Sequence, residues 1–406
     1  MKKLAQTTFF LTILLMIGAC SKRNNNAETI LIDTEYLELT KLQISKNDPN
    51  YQYAFKQLIK DAEKALYEGP FSVTDKKELP PSGDKHDYVS YGRYWWPDPN
   101  MPNCLPYTQK DGETYPESQN PEKSDRLRIN TLGVNTETLG LAYYLTGEQK
   151  YAKKATELLR VWFLDEKTKM NPNASHAQCI PGRNNGSKYG VLDRRLIIRA
   201  LEGSLLIKHS SALSDTEFIE LKKWVKEYFE WLATNELALK EAASNNNHGS
   251  YYDVQAIYLS LYSENYLIAK LIAEQFVKRR IVSQIRPNGF MPQEMMRTRP
   301  LFYSIYNLHA MFLAAKLAER VGVDIWETNN QNSRLRAALN FLLPYTDPNK
   351  VWPLPTIGST NRMGMLAILQ MANRAYPNEN YLQMVQKLPL EKCRIERINL
   401  AFPLMR

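Results

Sequence analysis

An all-α fold of paired helices is what this 406-residue sequence predicts, on three observations. Apolar residues recur at helical spacing in roughly ten segments. No stretch alternates apolar and polar residues with period two for long enough to build a sheet. Short turns separate the helical segments, which is the pattern of helical hairpins. No tight repeat relates the hairpins, so they predict an (α/α) toroid, an incomplete α/α barrel, rather than a solenoid.

Taken in order, the chain opens MKKLAQTTFFLTILLMIGACSKRNNN. Lys2 and Lys3 precede an apolar run from Phe9 to Ile17 that is too short to span a bilayer, and small residues precede Cys20, as in a secretory signal. The stretch IGAC resembles a bacterial lipobox. That resemblance implies lipidation of Cys20, with residues 1–20 as signal and lipobox, 21–30 as a tether and 31–406 as one domain. It further implies a periplasmic protein whose only membrane contact is a lipid anchor in the outer membrane. Three cysteines remain beyond the anchor, and an oxidising compartment permits one disulfide. Cys104 and Cys179, both in loop-like sequence, are the expected pair.

YQYAFKQLIKDAEKALYEG predicts a leading helix that stops at Gly69. Eight of the 22 prolines then fall between Pro80 and Pro121, a density no helix survives. Residues 70–125 are therefore expected to form a long ordered loop, and such loops are usually functional. NTETLGLAYYLTGEQKYAKKATELLRVWF predicts two helices broken at Thr146–Gly147, and GVLDRRLIIRALEGSLLIKHS another. SDTEFIELKKWVKEYFEWLATN begins with a capping box, Ser214 and Glu217, and carries one apolar stripe of Phe218, Leu221, Trp224, Val225, Tyr228 and Trp231. Helical patterns continue through YYDVQAIYLSLYS, NYLIAKLIAEQFVKRRIVSQI, PLFYSIYNLHAMFLAAKLAERVG, NSRLRAALNFLLPY and NRMGMLAILQMANRAYP.

Composition narrows the chemistry. Hydrophobic residues at 44% and charged residues at 23% describe a globular chain, and the formal net charge is +9. A basic protein favours an anionic partner. There is no Lys/Arg block and no nucleic-acid motif, so nucleic acid is not expected. The 24 Tyr and 7 Trp suit surfaces that stack against sugars. No Cys/His cluster has metal-ligand spacing, so neither a metal nor another cofactor is expected.

Four stretches carry candidate chemistry. In NGFMPQEMMRTRPLFYSIYNLHA, Pro300 suits the first turn of a helix, which sets Tyr303 near a helix N-terminus, where anions are favoured. Arg297 and Arg299 precede it, and flanking guanidiniums are expected to lower the phenol pKa. The structural alternative is a core tyrosine beside surface arginines. In EAASNNNHGSYYDVQ, Asn247 and His248 open a helix that includes Tyr252; an Asn-rich cap is the alternative. HDYVSYGRYWWPDPN places Arg93, Tyr94, Trp95 and Trp96 together, as a stacking platform with a cation or as a loop pinned by its tryptophans. SHAQCIPGRNNGSKYGVLDRR offers His176, Gln178 and Arg183 as substrate contacts; phosphate cradling is the rival, but there is no Walker pattern.

YWWPDP, the Asn247–His248 pair, and Arg297 followed by Tyr303 together resemble the alginate lyase family of polysaccharide lyases, over roughly residues 80 to 340. His248 precedes Arg297 by 49 residues and Tyr303 by 55, as in that family's order of motifs. The resemblance implies a toroid that cleaves uronic-acid glycans, alginate first and glucuronan second, by metal-independent β-elimination. Asn247, His248 and Arg297 would neutralise the uronate carboxylate, and Tyr303 would act as base and acid, with His248 as base for the epimer. Arg299 and Tyr306 fit the Arg-to-Tyr spacing loosely and stand as binders, with Arg362 as a late arginine. Two rivals remain. A glycoside hydrolase needs a pair of carboxylates, and Asp98, Asp193, Asp253 and Glu294 form no convincing pair. A non-catalytic glycan-binding lipoprotein would keep the tryptophans and arginines without needing Tyr303 as a base.

Overall fold

The structure, a computed structural model, describes residues 29–327 and 333–401. Cys20 and the lipobox lie outside the described residues. The helices are α1 (Thr34–Ser45), α2 (Pro49–Ala65), α3 (Arg126–Thr146), α4 (Gln149–Leu159), α5 (Ile197–Leu206), α6 (Asp215–Thr234), α7 (Glu236–Ala242), α8 (Asn247–Tyr262), α9 (Tyr266–Phe276), α10 (Pro292–Met295), α11 (Pro300–Glu319), α12 (Arg334–Leu342), α13 (Gly364–Ala375), α14 (Leu390–Ile395) and α15 (Ile398–Ala401).

Burial sorts them into two rings. In α5, α8 and α11 nearly every face is covered, which is the signature of a helix surrounded by protein. Helices α4, α6, α9 and α12 bury one stripe and expose the other. Contacts run α3 to α5, α5 to α8, α8 to α11 and α11 to α13 around the inner ring, and each inner helix also packs on outer neighbours. At the end of the chain, α14 and α15 return to α1 and α2. This is the α/α toroid expected from the hairpin pattern. Helices α3 and α5 meet closely: a Cβ on Gly203 would lie 2.5 Å from the Thr136 carbonyl oxygen, so only glycine lets these backbones meet.

The capping box forms as predicted, with Ser214 and Glu217 each bonding the other's backbone. The helix break falls at Gly147, whose φ of 76° is the left-handed conformation that ends a helix. One helix begins later than its apolar pattern suggests. Residues Lys188–Leu196 wind as a tighter 3₁₀ turn before α5, and within it Gly190 is pressed against Ala177, where a Cβ would approach to 2.4 Å.

Residues 70–125 form an ordered loop across one end of the toroid, held by two short strand pairs. Strand β1 (Val89–Tyr91) runs parallel to β4 (His176–Cys179); β2 (Trp95–Trp96) pairs antiparallel with β3 (Thr108–Gln109). The expected disulfide is not formed. Cys104 is exposed, Cys179 is buried with its thiol donating to the His176 and Asn185 carbonyls, and Cys393 is also free.

The opposite end of the ring is stoppered by the chain's own leading segment. The buried Glu202 carboxylate accepts the backbone N–H groups of Ile30, Leu31 and Ile32 and the Tyr258 hydroxyl. Arg320 donates to the Ile30 and Ile32 carbonyls, and Asp33 pairs with Lys316, Arg320 and Arg374. These groups sit towards the C-terminal ends of α5, α8, α11 and α13. The N-terminal ends of α8 and α11 face the other mouth, beneath the loop, and there the candidate chemistry gathers.

Candidate active site

The three consecutive asparagines before His248 have three different tasks. Asn245 donates its side-chain Nδ2 to the Ser283 carbonyl and accepts the Ser283 hydroxyl on Oδ1. Asn246 is the cap of α8, its side chain accepting the His248 N–H. Asn247 is buried and turned towards Glu294: its backbone N–H lies 2.6 Å and its side-chain Nδ2 3.0 and 2.9 Å from the Glu294 carboxylate oxygens. Burial pushes the Glu294 carboxyl above the usual carboxylate range, against those hydrogen bonds.

His248 is fixed by a second buried acid. Its Nδ1 lies 2.5 Å from Glu241 Oε1, and Glu241 is fully buried. A carboxylate accepts the Nδ1 proton and leaves Nε2 for other chemistry. The imidazole and the Tyr189 ring meet edge to face, their centres 5.4 Å apart. Gly249 follows because a Cβ there would lie 2.0 Å from the Ser244 carbonyl oxygen.

Tyr303 sits in the first turn of α11, with Pro300 at the helix start as predicted. Its hydroxyl donates to the Tyr94 hydroxyl at 2.8 Å, so the loop touches the toroid at this point. The Arg297 guanidinium lies 3.6 Å from the centre of the Tyr303 ring. The expected lowering of the phenol pKa is not found. Burial drives it well above its ordinary value and outweighs the lowering by Arg297. Arg297 is itself engaged, holding Asp111 of the loop through Nε at 3.0 Å and Nη2 at 2.5 Å. Thr298 adds backbone and hydroxyl donors. Burial works against the Asp111 charge, but these partners hold its carboxyl below the usual range.

The remaining candidates divide. Tyr306 lies one turn into the ring from Tyr303, stacked on Phe302 and 4.5 Å from the Tyr251 ring. Gln178 donates to the Tyr189 carbonyl and to Asp193, which links β4 to the His248 neighbourhood. Arg93 reaches Thr114 and lies near the Tyr94 ring; Arg183 lies over Trp95 and donates to the Tyr107 carbonyl. Trp96 packs on Tyr115 and donates to the Glu113 carbonyl, both within the same loop, so it ties the loop to itself rather than to the helical core. Arg299 donates to the Ser359 carbonyl and Arg362 to that of Tyr345, on the 345–362 side of the cleft. His176 turns towards the Asn185 carbonyl and Asp87 rather than towards His248. Tyr252 is a correction: it is fully buried, its hydroxyl bonded to the Leu232 carbonyl, because it occupies the face of α8 that packs on α6. It is a core residue.

Three residues escape sequence reading, Glu241, Asp111 and Arg195, and Glu294 is read there only as a carboxylate of the hydrolase rival. Glu241 lies seven residues before His248 and is the one with a local signal. Glu294 and Asp111 meet their partners only across the fold.

The alginate lyase family model matches residues 72–352. The chain belongs to the alginate lyase family. It is accordingly a polysaccharide lyase. A crystal structure of an alginate lyase from Bacteroides ovatus is 37% identical, covers 93% of this chain and 100% of its own, and superposes with a TM-score of 0.87. Alginate lyase A1-III from Sphingomonas species A1 shares the fold at 14% identity and TM-score 0.58, over 94% of this chain and 99% of that one. No curated protein sequence matches. Loop 70–125, Asn247, His248, Arg297 and Tyr303 all fall within the segment that the alginate lyase family model covers, apart from the loop's first two residues. Among the described residues there is no cluster of His, Cys, Asp and Glu able to hold a metal ion, and no helix long and apolar enough to cross a membrane.

Proposed function

We propose that the substrate is alginate, with glucuronan as the second polyuronate to consider, and that cleavage is a β-elimination at the Asn247–His248–Tyr303 mouth of the toroid. The observation that carries this is the 37% identity to a Bacteroides ovatus alginate lyase along that chain's whole length. In the reaction the C5 proton leaves, a C4=C5 double bond forms, the C4–O4 bond breaks and O4 takes a proton.

The proton on C5 is acidic only if the adjacent carboxylate is neutralised, and donors preorganised around a developing charge are the usual means. Asn247 and His248 at the α8 N-terminus supply polar contacts there. Arg297 acts from the face of the Tyr303 ring. The protonation of the resting site supports a division of labour. Tyr303, kept neutral by burial, is suited to deliver a proton to O4. His248, with Nδ1 held by Glu241, presents Nε2 as the base for the epimer whose C5 proton points towards it. For the other epimer Tyr303 must first give up its phenol proton to solvent; as tyrosinate it then takes the C5 proton and returns it to O4.

Ultraviolet absorbance on mixing the protein with alginate, polymannuronate, polyguluronate and glucuronan tests this directly, because only elimination makes the unsaturated product. A rise that disappears in Tyr303→Phe is expected. New reducing ends without absorbance would replace the reading with hydrolysis. We further infer that Cys20 is lipidated and that the protein is periplasmic, tethered to the outer membrane; a shift of the mature chain on Cys20→Ser, from membrane to soluble fraction, is the check.

A further inference from the structure

Arg297 does not supply free positive charge to this cleft, because Asp111 holds its edge and the Tyr303 ring covers its face. Another guanidinium does. Arg195, in the turn before α5, is half-buried between two rings of the inner wall, 5.5 Å from the centre of Tyr251 and 5.4 Å from that of Tyr306. Its one hydrogen bond among the described residues is a long 3.4 Å contact from Nη1 to the Leu192 carbonyl. The acid beside it in sequence is taken: Asp193 receives Arg126 at 2.7 Å, Ser90 at 2.8 Å and Gln178 at 3.0 Å. No carboxylate pairs with Arg195 among the described residues.

Its surroundings belong to the active cleft. Tyr306 is three residues after Tyr303 on α11, and Tyr251 is four residues after Asn247 on α8. Each is therefore one helical turn, about 5 Å, deeper in the ring. The Tyr251 hydroxyl lies 3.2 Å from His309 Nδ1. Burial, with Arg195 second, holds that imidazole down to about 4, so it adds no competing charge at neutral pH. A cation walled by aromatic faces, with donors left over and only the more distant charge of Asp193, which Arg126 already holds, lacks an anionic partner in contact.

We propose that Arg195 is the carboxylate anchor at the floor of the cleft, receiving a uronate carboxylate of the bound glycan one turn below Tyr303. The proposal rests on the polyuronate reading above and deepens it. Arg195 is a binding residue and takes no proton.

Calorimetric binding of an alginate tetrasaccharide to the Tyr303→Phe protein, which does not consume the ligand, provides the test. Adding Arg195→Met is expected to weaken binding about 10- to 100-fold, the size of one charge-assisted hydrogen bond. In the otherwise native enzyme the same change raises KM by a similar factor and moves kcat much less. Arg195→Lys is expected to recover part of the affinity, and a merely structural residue would show no such rescue. Equal binding by Arg195→Met and its parent overturns the proposal. If the Met variant does not fold, Arg195→Gln against Arg195→Lys decides on the same readout, and equal affinity of those two overturns it. Turnover is read separately. Tight, Arg195-dependent binding without unsaturated product defeats the elimination reading and leaves the anchor standing. Turnover with unchanged binding does the reverse.

Discussion

His248 Nδ1 lies 2.5 Å from the carboxylate of Glu241, a residue with no exposed surface of its own. The contact fixes both the rotation of the imidazole and which nitrogen faces the cleft. Replacing Glu241 by Gln keeps the shape and removes the charge that holds the Nδ1 proton. We expect kcat to fall by roughly 10²-fold on the substrate for which His248 is the base, with KM nearly unchanged. A downfield Nδ1–H proton resonance should be present in the native protein and absent from the variant. Unchanged kcat on every polyuronate would remove Glu241 from the mechanism.

Glu294 plays the matching part for Asn247. One carboxylate holds the Asn247 side-chain amide by two contacts and its backbone N–H by a third, and the carboxyl is buried. Truncation to Ala leaves the Asn247 N–H and Nδ2 groups without their acceptor inside the protein. A loss of about 1–3 kcal/mol in stability is expected, measured by denaturant unfolding. Activity should fall further than stability explains, whereas Glu294→Gln, which still accepts one of the bonds, should fall less.

The Asp111–Arg297 pair makes the loop's attachment pH-sensitive in one direction. The Asp111 carboxyl is held below its ordinary range in the folded protein, so its contribution is complete above the unfolded value, about 4. It is lost as pH falls through the lower folded value. Trp95 and Trp96 lie on the same loop and report it by fluorescence. An acid transition below about pH 4 is expected in the native protein, and Asp111→Asn should lack that step and show the loosened signal at all pH values.

Gly203→Ala tests the ring itself. The added methyl would sit 2.5 Å from the Thr136 carbonyl oxygen, a backbone atom that moves only if α3 moves. Overpacking of this kind costs about 1–3 kcal/mol. A lower melting temperature with normal KM in the surviving folded protein is the expected outcome; an unchanged melting temperature would show that α3 and α5 yield at this crossing.

The sequence determined whatever rests on neighbours three or four residues apart. The apolar stripes, the Ser214–Glu217 box, the break at Gly147, the Pro300 start and the loop of eight prolines follow from helix geometry and backbone sterics, which are local. The toroid follows from their number and short connections. Tertiary structure decided which groups meet and how much water each keeps. Glu294 finds Asn247 across 47 residues and Asp111 finds Arg297 across 186. Neither pairing leaves a periodic trace in the chain. Tyr252 and Tyr303 read alike as tyrosines near helix starts, yet one packs into the α6 face and the other meets the loop. The Tyr303 phenol was expected to be lowered by its arginines. It is raised instead, because desolvation depends on everything packed around a group, and no spacing along the sequence encodes that.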